Sequence, residues 1–240
     1  MATPTDFATT DLVCGIDVSH WDGVVDWNAV RKNKQTAANP NAPGVCFCYI
    51  KATEGLTVVD RMYATNIANT QAAGLFSGAY HFFLPQDDPI QQAKLFTDTV
   101  KTIAKGMLPP AVDLEVAGGM GVSVIADRLK AFLDAVANTL QVTPLIYTNP
   151  TSFWNPVLGQ VDPSTGETYS SQFSPYYAWL AQYTDAAQPT EPSDLELWAL
   201  WQFSDCGNVD GVAGPCDLIR FRESADATDA MSDFMHLVAS

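Results

Sequence analysis

Two carboxylates stand two residues apart in the segment 109–116, PPAVDLEV. The apolar residues around them indicate a short buried strand, on which residues i and i+2 point to one face. Asp113 and Glu115 would then share a face, with Cβ atoms roughly 6.5 to 7 Å apart. Each negative charge raises the free energy of ionising the other. The pair is therefore a candidate for acid–base chemistry, although a strand end whose acids simply face water has the same pattern.

The composition predicts a well-packed globular chain with a neutral or small ligand. Of the 240 residues, 47% are hydrophobic and 16% are charged, and barrel domains commonly have this length. The net charge of −15 repels phosphate backbones and anionic lipids, which argues against binding nucleic acid or a membrane surface. No run of 18 apolar residues is present, so we expect no membrane insertion. We expect an N-terminal extension over residues 1–12, one catalytic domain over 13–240, and a monomer.

The five cysteines include one candidate disulfide. Cys46 and Cys48 would share one face of a predicted strand, an arrangement that suits small apolar core residues better than a mutual bridge. Cys206 and Cys216 flank the glycine-rich segment 207–215. A bridge there would restrict a long connection, and we expect these two residues to be bonded.

Strands alternate with helices over the first part of the chain. Strands are predicted at 12–19, 45–51, 76–83, 109–116 and 143–148, and helices at 26–31, 60–73, 87–105 and 122–140. This alternation predicts parallel strands joined by right-handed crossovers. Later strands, at 176–183, 197–203 and 216–219, follow connections without helical periodicity, and a closing helix is predicted at 225–238. Together they predict an α/β fold: one irregular TIM-like β/α barrel with five β/α units and three further strands that have few covering helices.

A barrel of this kind carries its chemistry at the carboxyl ends of its strands. This rule places the following side chains at one mouth: Asp17, Glu54, Tyr80, His81, Asp113, Glu115, Tyr147, Gln182, Tyr183, Gln202 and Asp217. Because the last strand of a closed barrel neighbours the first, Asp17 and Asp217 would be adjacent. Repulsion within such a group of acids keeps the least solvated one protonated, as a general acid requires.

Aromatic residues surround these acids in the predicted barrel. They are Trp21, Tyr49, Tyr80, Tyr147, Trp179, Tyr183 and Trp201. Acids with aromatic walls are typical of sites that bind and cleave sugars. Trp179 and Trp201 lie inside apolar strands, and we expect them to pack within the barrel.

Other chemistries lack their motifs. The sequence has neither the HExxH pattern nor a Cys–His cluster at metal spacing, so we expect no metal and no cofactor. A GxSxG elbow, a P-loop and GxGxxG are also missing. His81 is predicted to act as a hydrogen-bonding residue of the pocket.

Several motifs, in order, resemble glycoside hydrolase family 25, the Chalaropsis-type muramidases. They are GIDVSHW at 15–21, YIKATEG at 49–55, GAYHF at 78–82, VDLE at 112–115, and the pair WQFS at 201–204 and GPCDL at 214–218. The resemblance extends from about residue 13 to 221. Each motif is weak alone, but their order and spacing together are specific.

The resemblance implies that the enzyme cleaves the β-1,4 bond between N-acetylmuramic acid and N-acetylglucosamine in bacterial peptidoglycan. Glu115 would protonate the leaving oxygen and later activate water, while Asp113 would assist the 2-acetamido group, with net retention. Whether Asp113 itself attacks stays open. Asp17 and Asp217 would complete the acidic cluster.

The same resemblance assigns Tyr80 and Tyr147 to the subsite for the muramic ring. It implies peptidoglycan glycan strands as the partner and action outside the producing cell or on the cell wall. The segment 1–11 lacks the basic and apolar regions of a signal peptide. Export would therefore use a leader that is not in this chain, or another route.

Two other functions stay possible at the level of sequence. A family 18-like chitinase also carries an acidic cluster on its fourth strand, but its DxxDxDxE pattern is incomplete here, since residues 108–115 are LPPAVDLE. A non-catalytic sugar-binding or inhibitor barrel would be expected to lack the acid at Glu115, which is present.

Overall fold

Pairing of the first strand with both the second and the last closes the sheet into a barrel. The computed structural model describes residues 13–33, 44–104 and 107–222. In it, β1 (Cys14–Val18) pairs in parallel with β2 (Val45–Glu54) and antiparallel with β9 (Pro215–Phe221). The strands between them are β3 (Val58–Val59), β4 (Phe76–Phe82), β5 (Ala111–Asp113), β6 (Leu145–Thr148), β7 (Ala178–Ala181) and β8 (Trp198–Asn208).

Only β3 stands outside the closed ring of described strands, because it pairs solely with β2, as a short antiparallel edge. The other strands follow the order β1-β9-β8-β7-β6-β5-β4-β2 and return to β1. The predicted irregular TIM-like barrel is thus confirmed.

The helices follow the first strands and become short after β6. Their bounds are α1 (Trp27–Lys32), α2 (Tyr63–Ala72), α3 (Pro89–Val100), α4 (Val122–Leu140) and α5 (Asn155–Val157), the last preceded by a π-helical turn, Pro150–Trp154. Short 3-10 helices occupy His20–Asp22 and Ser171–Phe173. Helix α4 has the predicted bounds, and it buries its apolar face on the barrel. The predicted extension 1–12 and closing helix 225–238 lie outside the described residues.

Helix α3 ends earlier than the sequence predicted. Asp88 caps its start by accepting hydrogen bonds from the N–H groups of Ile90 and Gln91, and Pro89 occupies the first turn. The helix stops at Val100 because the next residue, Lys101, adopts φ of 67°. The predicted end at residue 105 was therefore wrong.

The last strand, β9, runs antiparallel to β8, and the expected disulfide between Cys206 and Cys216 is not formed. In the antiparallel pair of β8 and β9, Gly207 lies opposite Cys216. Opposite residues point to one face and the next residue along points to the other, so Cys206 is directed away from Cys216. Both thiols are free, and Cys206 Sγ lies 3.6 Å from Ser204 Oγ. The predicted disulfide is wrong, because backbone pairing across a hairpin already holds the two ends of this loop.

Alternation along β2 divides its side chains between two cores. Phe47 and Tyr49 belong to the core inside the barrel, which only strand and loop residues form. Cys48 and Ile50 belong to the core between the barrel and its helices. Lys51 continues the first series and therefore points inward at the end of the strand.

In the part of the chain that the structure describes, no helix combines the length and the apolar character needed to cross a membrane.

Candidate active site

One end of the barrel interior opens into a pocket with a volume of about 200 Å³. The four predicted acids, Asp17, Asp113, Glu115 and Asp217, all line it. Tyr80 and Tyr147 line it too, as predicted, and Trp179 joins them. The strand ends thus bring together acids that lie far apart in the sequence.

Asp17 and Asp217 are adjacent because β1 pairs with β9. The two residues lie directly opposite each other in the antiparallel register. Their predicted adjacency is confirmed, but the rule that placed Asp217 at a carboxyl strand end is wrong. Since β9 runs antiparallel to the other barrel strands around it, Asp217 reaches the mouth from near the amino end of its strand.

Burial raises the pKa of both carboxyls of the Asp17–Asp217 pair. Burial raises the pKa of Asp17 well above its usual value, and the charge of Asp217 raises it further. Burial also raises the pKa of Asp217, to about 6, while a hydrogen bond with Asp17 limits the rise. Burial and repulsion therefore favour one proton on the pair as a whole.

Gln202 orients this pair through a buried network. Its Oε1 accepts hydrogen bonds from the hydroxyls of Tyr147, at 2.9 Å, and Tyr183, at 3.0 Å. Two hydroxyl donors on one oxygen fix the orientation of the amide, so that Nε2 donates to Asp17 Oδ2 at 2.8 Å. Tyr183 does not line the pocket and acts on it only through Gln202.

Asp113 and Glu115 differ in environment. Asp113 ends β5 and is buried, whereas Glu115 lies two residues further on and is exposed at the mouth. Burial raises the pKa of Asp113 well above its usual value, and the charge of Glu115 adds to the rise. Partial burial also raises the pKa of Glu115. Oδ1 of Asp113 is buried and has no hydrogen-bond partner among the described residues.

Lys51 is a pocket residue that our sequence analysis missed. Its Nζ lies 2.6 Å from Glu54 Oε2 and 4.9 Å from the centroid of the Phe82 ring. The positive charge lowers the pKa of both Asp113 and Glu115, against the effect of burial. A signal was available, because Lys51 follows inward-facing Phe47 and Tyr49 at a spacing of two.

Besides Tyr183, three predicted mouth residues do not line the pocket. His81 is fully buried on the outer side of the barrel wall, where it contacts Thr53 Oγ1 at 2.7 Å and Gln92 Oε1 at 3.1 Å. It cannot reach a substrate, and the prediction that it binds one is wrong. Glu54 contacts the pocket only through Lys51, and Gln182 instead exchanges hydrogen bonds with Thr190.

Trp179 forms part of the pocket wall from inside the barrel core. Its ring packs 4.7 Å from that of Tyr147 and 4.8 Å from that of Tyr49, measured between centroids. The predicted packing role is confirmed. Trp201 is buried too, but in the core outside the barrel and not within it as predicted, beneath the guanidinium of Arg220, 4.2 Å from its ring centroid.

The acids of the pocket are not arranged as a metal site. Among residues 13–33, 44–104 and 107–222, no three His, Cys, Asp or Glu side chains are grouped as metal ligands would be. The chemistry that the described side chains themselves offer is proton transfer by paired acids beside aromatic walls, as in glycoside cleavage.

Comparison with known proteins identifies the family. The sequence pattern of "Glycosyl hydrolases family 25" matches residues 16–212. The chain belongs to glycosyl hydrolase family 25. It is therefore a glycoside hydrolase of the lysozyme class, and the resemblance inferred from its motifs is confirmed.

Relatives in family 25 cover most of the chain. Lysozyme M1 of Streptomyces globisporus is 32% identical over 228 residues, which span 91% of this chain and 70% of the relative. The protein YegX of Escherichia coli K12 is 32% identical over 219 residues, spanning 91% and 73% of the two chains. The crystal structure of a lysozyme from Streptomyces coelicolor is similar, with a TM-score of 0.79, 29% identity and coverage of 93% and 97%.

Proposed function

We propose that this glycoside hydrolase is an N-acetylmuramidase that cleaves the β-1,4 bond between N-acetylmuramic acid and N-acetylglucosamine in peptidoglycan, at the cell wall outside the producing cell. The observation that carries the proposal is the position of Glu115. Of the four pocket acids it is the one exposed at the mouth, while partial burial keeps its pKa raised. A carboxyl that is both accessible and protonated is what a glycosidic oxygen requires.

Bond cleavage begins with proton donation. Protonated Glu115 gives its proton to the glycosidic oxygen, and the bond from this oxygen to C1 breaks. The carbonyl oxygen of the 2-acetamido group attacks C1 from the opposite face, which gives a cyclic oxazolinium ion. Asp113 stabilises the positive charge, since its unpartnered Oδ1 can accept the acetamido N–H.

The second step restores the enzyme. Glu115, now a carboxylate, takes a proton from water, whose oxygen attacks C1 and opens the oxazolinium ring. Two inversions at C1 give net retention. Lys51 favours the ionised forms of both acids, which suits an Asp113 that must bear charge and a Glu115 that must alternate.

The remaining pocket residues position the sugar. Tyr80, Tyr147 and Trp179 form aromatic walls that suit the apolar faces of the muramic ring. The hydroxyl of Tyr147 is held by Gln202, which also holds Asp17. A proton on the Asp17–Asp217 pair reduces the negative charge that these walls would otherwise enclose.

The test is the variant Glu115→Gln, which keeps the shape of the side chain and removes the proton donor. We expect kcat on purified peptidoglycan to fall by about 10² to 10⁴, while the glycan strands still bind. Glu167→Gln, an exposed acid outside the pocket, serves as the matched control and should be fully active.

Mass analysis of the wild-type digest identifies the glycosidic bond that is cleaved. New reducing ends on muramic acid support the proposal, whereas new ends on glucosamine would contradict it. Substantial hydrolysis by Glu115→Gln would show that another group donates the proton. Binding without turnover in the wild type would instead indicate a sugar-binding barrel.

A further inference from the structure

Trp21 is an exposed indole on the rim of the acid pocket. It lines the same pocket as Asp17 and Asp217, yet 83% of its surface is exposed. The pocket aromatics Tyr147 and Trp179 are only 8% and 2% exposed. An indole is among the largest apolar groups of a protein, and leaving it in water beside a sugar pocket is unfavourable unless a ligand covers it.

The backbone around Trp21 is held rigidly on both sides. Ser19 Oγ accepts the N–H of Trp21 at 3.2 Å, and Ser19 N donates to Asp22 Oδ2 at 2.8 Å, forming a capping box. His20 makes two contacts with the buried carboxylate of Asp60, from its backbone N at 2.9 Å and from ring Nδ1 at 2.8 Å. The loop is therefore fixed before any ligand arrives.

The ring of Trp21 is supported as well. The imidazole of His20 lies beside it, with 4.4 Å between ring centroids and 37° between ring planes. Because His20 is itself anchored on Asp60, the indole is restrained without being covered. A restrained aromatic surface loses little entropy on binding, which is the property of a preformed binding platform.

The position of Trp21 relative to the acids indicates what it binds. It follows β1, which β2 and β4 separate from β5, the strand that carries Asp113 and leads to Glu115. A ring stacked on Trp21 is therefore displaced along the mouth from the glycosidic oxygen that Glu115 protonates. It is a further sugar of the same strand, with an apolar face that can lie against the indole.

We propose that Trp21 forms an additional subsite that binds a pyranose ring of the glycan strand beyond the bond that is cleaved. The inference rests on the proposed function for the identity of the strand. It assigns to Trp21 a role in the affinity for long strands and no role in the chemical step.

The test measures binding to the Glu115→Gln protein, so that the strands stay intact. Uncross-linked peptidoglycan strands are separated into long strands and single disaccharide units, and their affinities are measured by calorimetry. Adding Trp21→Ala should weaken the binding of long strands roughly tenfold, or about 1.4 kcal/mol, and leave the disaccharide unchanged. Trp21→Phe should recover part of the loss.

Val24→Ala is the matched control. Val24 is 84% exposed on the same loop but does not line the pocket, so its truncation should change neither affinity. Equal weakening for both strand lengths would place Trp21 in the central pocket and overturn the subsite, as would no weakening for either. Binding that depends on Trp21 in a wild type that cleaves no strand would refute the proposed function and leave the subsite standing.

Discussion

At the scale of single residues, burial and the charge of one lysine have opposite effects on the pKa values of two pocket acids. Burial raises the pKa of both Asp113 and Glu115, whereas Lys51 lowers both. The two acids need different protonation states in the first step, since Glu115 must carry a proton and Asp113 must be charged. The acidic and basic limbs of the pH profile therefore report the two successive ionisations of the Asp113–Glu115 pair.

Replacing Lys51 by Met should move the whole pH profile upward. Without the positive charge both pKa values rise, so Asp113 loses its charge at a higher pH and Glu115 keeps its proton to a higher pH. Both limbs of kcat/KM against pH should shift in the same direction. Lys51→Arg, which keeps the charge, should restore the wild-type limbs.

A second variant should shift the acidic limb of the pH profile in the opposite direction. The charge of Glu54 raises the pKa of Asp113, and Glu54→Gln should therefore move the acidic limb downward. A merely structural role of the Lys51–Glu54 pair would reduce activity in both variants without these opposite shifts. Unchanged limbs in Lys51→Met would contradict the electrostatic account.

Individual site residues can be predicted from the sequence where they stand at the end of a predicted strand. The four acids were found because they follow apolar runs, but such a run does not state which face each end residue occupies. Tyr80 and His81 are neighbours on β4 and therefore point to opposite sides, Tyr80 to the pocket and His81 to the helices. Only the packing of β4 against α3 and α4 decides which of the two is outside.

At the scale of elements, His81 joins strands to helices. Its ring bonds Thr53 on β2 and Gln92 on α3, and it stacks on Phe132 of α4 with 4.9 Å between ring centroids. Burial lowers the pKa of His81 to about 4. The imidazole is therefore neutral in the folded protein over most of the acidic range.

This pKa predicts how stability changes with pH. Between about 4 and the usual value of 6.5, the unfolded chain binds a proton at His81 that the folded chain does not. The contribution of His81 is fully present above pH 6.5 and is lost as the pH falls toward 4, by about 3 kcal/mol. Below pH 4 the loss stops, because both states are protonated.

Comparison with His81→Gln isolates the effect. The glutamine stays neutral at every pH and can still form hydrogen bonds. The free energy of unfolding of the wild type minus that of the variant should therefore decrease from pH 7 to pH 4 in urea titrations. The difference is needed because Asp217, with its raised pKa, loses its contribution in the opposite direction, as the pH rises toward about 6. A constant difference would show that His81 has the same pKa in the folded and the unfolded chain.

Elements with strong local signals were predicted better than those that depend on distant partners. Helix α4 has the predicted bounds because its apolar residues repeat at helical spacing over its full length. The reversal of β9 depends on a hairpin whose register the segment 207–215 does not specify by composition. The spacing of Cys206 and Cys216 predicts a loop closed by a disulfide, but it carries no signal for the pairing of β8 with β9.

At the scale of the whole molecule, the charge of the protein opposes its proposed substrate. The net charge is −15, and the mouth of the barrel itself holds four acids. Bacterial walls also carry carboxylates and phosphates. Approach of the enzyme to intact walls is therefore slowed by repulsion that acts over about one Debye length, which is roughly 30 Å at 0.01 M salt and roughly 10 Å at 0.1 M.

The rate of hydrolysis of intact walls should consequently rise as salt is added from about 0.01 to 0.1 M, because screening lifts a repulsion that affects encounter and not the chemical step. Soluble disaccharide fragments and walls stripped of their anionic polymers should show a much weaker dependence on salt. This comparison separates the effect of salt on encounter from any effect on the pocket.

The protonated state required of Glu115 adds a preference for acidic pH, since deprotonation both removes the proton donor and increases the negative charge at the mouth. Turbidity clearing measured over a grid of salt and pH tests both effects together. A maximum at the lowest salt and pH about 9 would contradict them, because at that pH neither a raised carboxyl pKa nor screening could sustain the reaction.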